Sequence, residues 1–351
     1  MDAIQSKQKL LSILVLSLAL ASCGGGSGSS ETTELDGADK TLEQGGSGNT
    51  TLLGEGVDYT GEASAAMALP AVGDTENFVQ AVVQVLKLKN IPAFRADDLS
   101  KKLSKNKQVC QTGSTVYTSN TNAGTGLLKS SEASFDECAV QVSSGILPES
   151  QILNGELSYS METNLYSQTD SYLFKEVSVV NTWGVNEAVV SSYLLNGSYD
   201  LEFKSINGVV QPSASWSMEA TYGYPSNTTA FKSKGTLKHQ NTLVVNSEAE
   251  DDDDEVVTLS VFDSSFTLSG VTYKLEYSTR NVYGYNTVYE SMKFYDPEMG
   301  YYHLDISSLN GKSCSKNGVM YSGFTGTVMI KDHTDANLLS VAIDCEAVTY
   351  Q

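Results

Sequence analysis

The sequence predicts a mainly β protein: one large antiparallel meander, folded as a barrel-like or sandwich sheet, with one amphipathic helix before it. Three observations carry that expectation. Over residues 107–351, short runs rich in Tyr, Val, Thr and Ser alternate polar with apolar positions, the period that sends one side-chain set inward and the other toward water. Asn-Gly, Ser-Gly and Asp-Pro pairs punctuate these runs with turn chemistry. Only one stretch, beginning at Asp74, shows helical period over several turns.

That stretch is "DTENFVQAVVQVLKL". Asp74 suits the N-cap, and Phe78, Val82, Val85 and Leu86 fall on one face. Asn90, Ile91 and Pro92 end the helix near Lys89, because proline lacks the amide and crowds the preceding turn. A short further turn, "ADDLSKKLSK", follows from Ala96 to Lys105, so residues 74–106 form a helical segment packed on the sheet. Its polar face carries few cations, which argues against a helix lying on a membrane.

Within the β region, "KFYDPEMGYYHLDI" shows the pattern. Lys293 to Tyr295 and Tyr301 to Ile306 read as strands around the Asp296–Gly300 turn. A recurrence is also visible: "LNGELSYS" at Leu153, "LNGSYDLEF" at Leu195, "LSGVTYKLEY" at Leu268 and "LNGKSC" at Leu309. Each is expected to place a glycine turn beside a strand. Their unequal spacing excludes a solenoid period and fits repeated hairpins in one sheet.

Ahead of this domain the chain has a different character. Lys7 and Lys9 precede an eleven-residue apolar run, "LLSILVLSLAL", too short to span a bilayer. The run stops at Leu20-Ala21-Ser22-Cys23, which resembles the lipobox of bacterial lipoproteins. That resemblance implies a signal peptide over residues 1–22, cleavage after Ser22, and diacylglycerol on the Cys23 thiol with acylation of the new amino group. Two or three chains hold a protein to a membrane effectively permanently. Gly24, rather than aspartate, follows the cysteine, which by the same resemblance favours the outer membrane in a Gram-negative host. Residues 23–73 then comprise this anchor and a disordered Gly/Ser/acidic tether, too poor in apolar side chains to offset the entropy of ordering. Its typical end-to-end distance is roughly 40 Å.

The chain has 42 acidic and 22 basic residues; without Asp2, Lys7 and Lys9 of the leader, 41 and 20 remain, a formal charge of −21. So acidic a chain argues against nucleic acid or anionic lipid as a direct partner. Its densest run, "EAEDDDDE" from Glu248 to Glu255, lacks the spaced ligands and central glycine of a calcium loop and reads as a solvated hairpin loop.

Setting Cys23 aside, Cys110, Cys138, Cys314 and Cys345 allow three pairings. "VCQTGSTVYT" through "SFDECAV" matches "SCSKNGVMYS" through "IDCEAV" in layout, each opening before a glycine-containing strand and closing near an aspartate. The expected bridges are therefore Cys110–Cys138 and Cys314–Cys345, structural rather than redox or metal sites, since CxxC spacing and neighbouring histidines are lacking.

No catalytic signature emerges. His239, His303 and His333 stand apart from any paired-ligand spacing, and no nucleophile elbow, Walker loop or dinucleotide fingerprint occurs. Carboxylates are abundant enough for a glycan-cleaving pair, but their separation is not a sequence property. The chemistry-bearing constellation is aromatic: eight tyrosines between Val271 and Tyr302, with Trp183 and Trp216 on other strands. Trp183, Trp216, Tyr283 and Tyr285 are the candidate ligand-binding residues, since such rings offer an apolar face and a polar tip. Charges at Lys274, Glu276, Glu290 and Lys293 interrupt any lipid-facing band, so a soluble sheet is expected rather than a membrane barrel. These features point to a lipid-anchored envelope protein that binds without catalysis. The partner is expected to be an envelope protein, an amphiphile or a glycan; the alternative roles are a carrier of a lipid or other amphiphile in a half-open barrel and a glycan-binding or glycan-cleaving module.

Overall fold

A computed structural model describes residues 54–71, 73–103, 108–143, 149–183, 188–224, 227–244, 255–282, 288–316 and 319–351. Two helices come first, α1 (Thr75–Leu88) and α2 (Ile91–Leu103). The break between them is two residues long, and Pro92 sits in the first turn of α2, where its missing amide has no intrahelical acceptor to lose. Proline thus starts a second helix as well as closing the first, and the "ADDLSKK" stretch belongs to that helix.

Fifteen strands follow among the described residues, all in one sheet. The first seven are β1 (Thr112–Thr121), β2 (Leu128–Ser143), β3 (Glu149–Thr163), β4 (Ser167–Trp183), β5 (Ala188–Ile206), β6 (Val209–Tyr224) and β7 (Asn227–Val244). Then come β8 (Glu255–Leu268), β9 (Val271–Val282), β10 (Val288–Asp296) and β11 (Gly300–Asp305). The last four are β12 (Asn310–Lys316), β13 (Val319–Lys331), β14 (Asn337–Asp344) and β15 (Ala347–Tyr350). Each strand pairs antiparallel with its sequence neighbour from β1 to β11; β13 then takes β11 and β12 along one side and β14 along the other, and β14 takes β15. The meander is as expected and does not close: among the described residues β1 and β15 are unpaired edges.

The sheet curls around α1. Eight α1 residues are buried, from Phe78 to Leu88, spanning roughly 220° of the helix circumference. The expected stripe of Phe78, Val82, Val85 and Leu86 is the centre of this arc. Phe78 packs against Phe294 and Tyr302 at ring distances of 5.7 and 4.8 Å, while the polar side of α1 (Gln80, Gln84, Lys87) faces an opening between Tyr222 of β6 and Phe324 of β13. The two flanks of the sheet therefore approach each other across the helix.

Long strands bend at bulges, and here the bulges line up. Register shifts fall at Gly113, Asp136–Glu137, Gly155 and Lys175–Glu176, on neighbouring strands β1 to β4. Each bulge adds a residue on one strand and increases local twist, so four in a line crease the sheet. The crease explains two of the recurrent Leu-Asn-Gly triplets. Only Ser269–Gly270 forms the expected hairpin turn; Gly155 and Gly197 instead lie inside β3 and β5, beside the crease, with φ of 96° and 141°. The preceding asparagines serve the crease too. Asn154 Oδ1 accepts from the Glu137 amide at 2.8 Å, and the Asn196 amide lies between the Phe174 carbonyl and the Gly54 amide, which it satisfies with its nitrogen toward the first, at 3.2 Å, and its oxygen toward the second, at 3.0 Å, the reverse of the orientation in the structure.

Residues 54–71 do not behave as the free tether the sequence suggests. Gly56 N donates to Ser217 Oγ at 3.0 Å, the Val57 carbonyl accepts from Ser265 Oγ, and Asp58 pairs with Lys234 at 2.7 Å. Further along, Tyr59 OH donates to the Asp296 carbonyl, Ala65 bridges Tyr301, and Tyr302 OH donates to the Ala68 carbonyl. This strap crosses the outer face of the sheet from β5 to β10 and then pairs with the edge of β11 at Tyr301, so the folded part begins no later than Gly54. Backbone hydrogen bonding, to which Gly, Ser and Ala contribute as well as any residue, holds it in place.

Both expected disulfides are present, Cys110–Cys138 and Cys314–Cys345. Cys23 and most of the tether lie outside the described residues, as do Tyr283 and Tyr285. The acidic run Glu248–Asp254 does too; β7 and β8, which flank it, pair antiparallel as a hairpin would.

Candidate functional site: a cleft under the second helix

Strand alternation gives the sheet two unlike faces. On the inner face, cross-strand register aligns Leu201, Ala214, Leu237, Phe262, Tyr277 and Met292 over β5 to β10. One residue pair further along the strands the inner row turns polar: His239, Ser260, Thr279 and Tyr289. On the outer face the rows are Ser, Thr and charge, such as Ser171, Asp200, Ser215, Thr236 and Asp263.

Helix α2 spans the inner face without filling it. Between them lies a cleft of about 430 Å³. Its floor is Tyr199, Leu201, Phe203, Pro212, Ala214, Leu237 and Phe262; Ala93 and Phe94 of α2 cover it, and the side chains of Asn90, Asp97 and His239 supply its polar groups. Phe94 remains 59 % exposed at the margin. Apolar walls with a few polar groups are the usual constitution of a small-molecule site. His239 Nδ1 and Ser260 Oγ share a hydrogen bond at 2.8 Å, and burial holds this imidazole below its ordinary pKa, favouring its neutral form.

Lys89 precedes Asn90 of the cleft without lining the cleft itself, and is nearly enclosed, 6 % exposed. Its ammonium lies 5.0 Å from the Tyr277 ring centre and 4.9 Å from that of Tyr289, and donates to Tyr289 OH at 3.3 Å. Tyr277 stacks in turn on Phe262 of the floor at 4.5 Å, and its hydroxyl approaches Asn90 Oδ1 at 3.4 Å. No carboxylate pairs with Lys89 among the described residues, and burial pushes its pKa down to about 8. Arg95, on α2, is likewise set against rings, those of Phe94, Tyr193 and Tyr222.

The outer face carries a larger, polar groove of about 640 Å³ over β1 to β5, lined by hydroxyls with Glu132 and Asp200. Tyr159 and Tyr172 contribute only their backbone there, because both rings are buried on the inner face, 5.1 Å apart. A sugar would find hydroxyls but no ring to stack on.

The aromatic candidates from the sequence divide accordingly. Trp216 is 3 % exposed; its indole donates to Ser233 Oγ at 2.9 Å and its ring packs on Phe262, so it supports the core beneath the cleft and presents no ring to solvent. Trp183 ends β4, its side chain outside the described residues. Tyr277 and Tyr289 do come together, around Lys89, while Tyr295 and Tyr301 form an outer-face cluster with Tyr59 and Lys293. Lys89 escaped sequence reading because a lysine in the last turn of a helix is the ordinary complement of the helix dipole. Among the described residues no group of three metal-binding side chains occurs. No protein-family model, curated protein or solved structure matches the chain.

Proposed function

We propose that this is a lipid-anchored envelope protein whose domain binds an amphiphile without catalysis, in the cleft beneath α2. The observation that carries this reading is the cleft itself: an apolar floor extending over four strands, left open beneath a helix. The lipobox supports attachment through Cys23, with the outer membrane favoured in a Gram-negative host, and no helix among the described residues is long and apolar enough to cross a membrane.

Native mass spectrometry of the full chain carrying Cys23→Ser tests the binding reading. The expected spectrum shows an excess mass that is lost on denaturation, and that falls roughly tenfold in occupancy when Leu237→Trp fills the floor. A bare protein mass under native conditions, unchanged by Leu237→Trp, would overturn it. For the anchor, the expected outcome is that wild-type protein sediments with membranes and Cys23→Ser does not.

A further inference from the structure

An enclosed ammonium without a carboxylate is costly. Taking it out of water costs several kcal/mol, and two tyrosine faces return only part of that. An anion arriving at Lys89 would be doubly favoured, gaining a charge-assisted hydrogen bond and relieving an existing penalty. The neighbouring inner-face row supplies further donors: Thr279 is directly opposite Tyr289 in the register, and Ser260 follows on the next strand. This polar row runs alongside the apolar floor. The site therefore has two chemistries in sequence, first apolar and then cationic with hydroxyls.

Resting on the amphiphile reading above, we propose that Lys89, with the hydroxyls of Tyr289 and Thr279, receives the anionic head of the ligand, a carboxylate or phosphate, while its chain lies on the Leu201–Phe262 floor. Tyr289 is 42 % exposed, so the head has a way in from solvent past its ring. Tyr277, stacked on Phe262, forms the step between floor and head site. Asp97, the acidic group lining the cleft, lies beyond the break between the helices and six residues into α2, about 9 Å along its axis from Ile91, which fixes the ligand's direction. The strong negative charge of the whole chain opposes approach to an anionic surface. It does not oppose capture of a single anionic head, because Lys89 acts at contact range, well inside the distance over which salt screens the remaining charges.

The test compares decanoate, decanol and inorganic phosphate, titrated by calorimetry at pH 7 into the full chain carrying Cys23→Ser. Decanoate is expected to bind at least tenfold more tightly than decanol. Lys89→Met should abolish that preference, weakening decanoate to the affinity of decanol. Tyr289→Phe, which keeps the cation and loses one hydroxyl, should weaken decanoate by about threefold and keeps the test in force if Lys89→Met fails to fold. Equal binding of acid and alcohol, or a preference that survives Lys89→Met, would overturn the head-site assignment and leave the cleft reading standing. Failure of both decanoate and decanol to bind would overturn the cleft reading and the assignment together. Phosphate binding as tightly as decanoate, with decanol unbound, would make the site one for a free anion and overturn its assignment to a lipid.

Discussion

A methyl group at Gly155 would run into the Glu176 carbonyl oxygen, and one at Gly197 into that of Ser217, both at positive φ. Such positions exclude other residues twice over, by torsion and by space. Gly155→Ala and Gly197→Ala are each expected to cost at least about 2 kcal/mol in chemical denaturation. Gly311→Ala, in the fourth triplet, has nothing within 4 Å of the added carbon and should change stability by no more than about 0.5 kcal/mol. Similar losses at all three would mean that the crease is not what the first two glycines serve. Lys89 leads to a second expectation. Folded, its ammonium loses its proton near 8; unfolded, near 10.5. Between those values the unfolded chain holds more protons, so stability rises with pH. Above about 10 the Tyr277 and Tyr289 phenols, whose pKa values burial raises, reverse the trend, because the folded chain then holds their protons longer. The rise is therefore confined to pH 8–10. Lys89→Met should remove it and stabilise the protein by roughly 2–3 kcal/mol at pH 7. Denaturation midpoints that are flat with pH in both proteins would show that the ammonium is not desolvated.

At the scale of elements, the strap has the most direct consequence. A chain beginning at Asp74, where sequence composition places the start of the folded part, would strip Ser217, Ser265 and Tyr302 of their bonds to residues 54–68 and Lys234 of its ion pair. A chain beginning at Gly54 is expected to be the more stable by at least about 3 kcal/mol. Equal denaturation midpoints would mean that the strap merely rests on the sheet. Composition missed this segment for a physical reason: it reports apolar burial, whereas the strap is held mainly through backbone amides and carbonyls, with the Asp58–Lys234 ion pair, the Tyr59 hydroxyl and the buried Ala66 adding to them. The strands were legible because alternation directly encodes a two-faced sheet, as in the hairpin around Asp296. There, Asp296 Oδ1 accepts from the amides of Glu298 and Met299 as turn chemistry requires. Helix α1 was legible in place but not in depth. A stripe at Phe78, Val82, Val85 and Leu86 says that one face is covered, whereas in the curled sheet Val79, Val83 and Leu88 are buried as well. The asparagine-glycine pairs misled because the dipeptide specifies a local torsion, which a bulge uses as readily as a turn. The cleft was not legible at all. Its floor residues are those any inner face carries, and what distinguishes them is that α2 leaves them uncovered.

For the whole molecule, the meander joins almost every strand to its sequence neighbours, so the central strands have two partners each and the ends have one. Both disulfides sit at those ends. Cys110–Cys138 ties the approach to β1 onto β2, and Cys314–Cys345 ties β12 to the turn between β14 and β15. In the chain-entropy account each bridge, closing a loop of about 30 residues, stabilises the fold by roughly 3–4 kcal/mol, and that stabilisation falls where pairing is weakest. Reduction should therefore act unevenly. In hydrogen exchange on the reduced protein, amides of β1–β2 and β12–β15 are expected to lose protection first. Those of β4–β8, which form the cleft floor and its surroundings, should retain protection, and decanoate affinity should fall less than twofold. Uniform loss of protection would mean instead that the sheet, wrapped on α1 through Phe78, Phe294 and Tyr302, opens as a single unit. In that case the staples would hold the cleft floor as directly as they hold the edges.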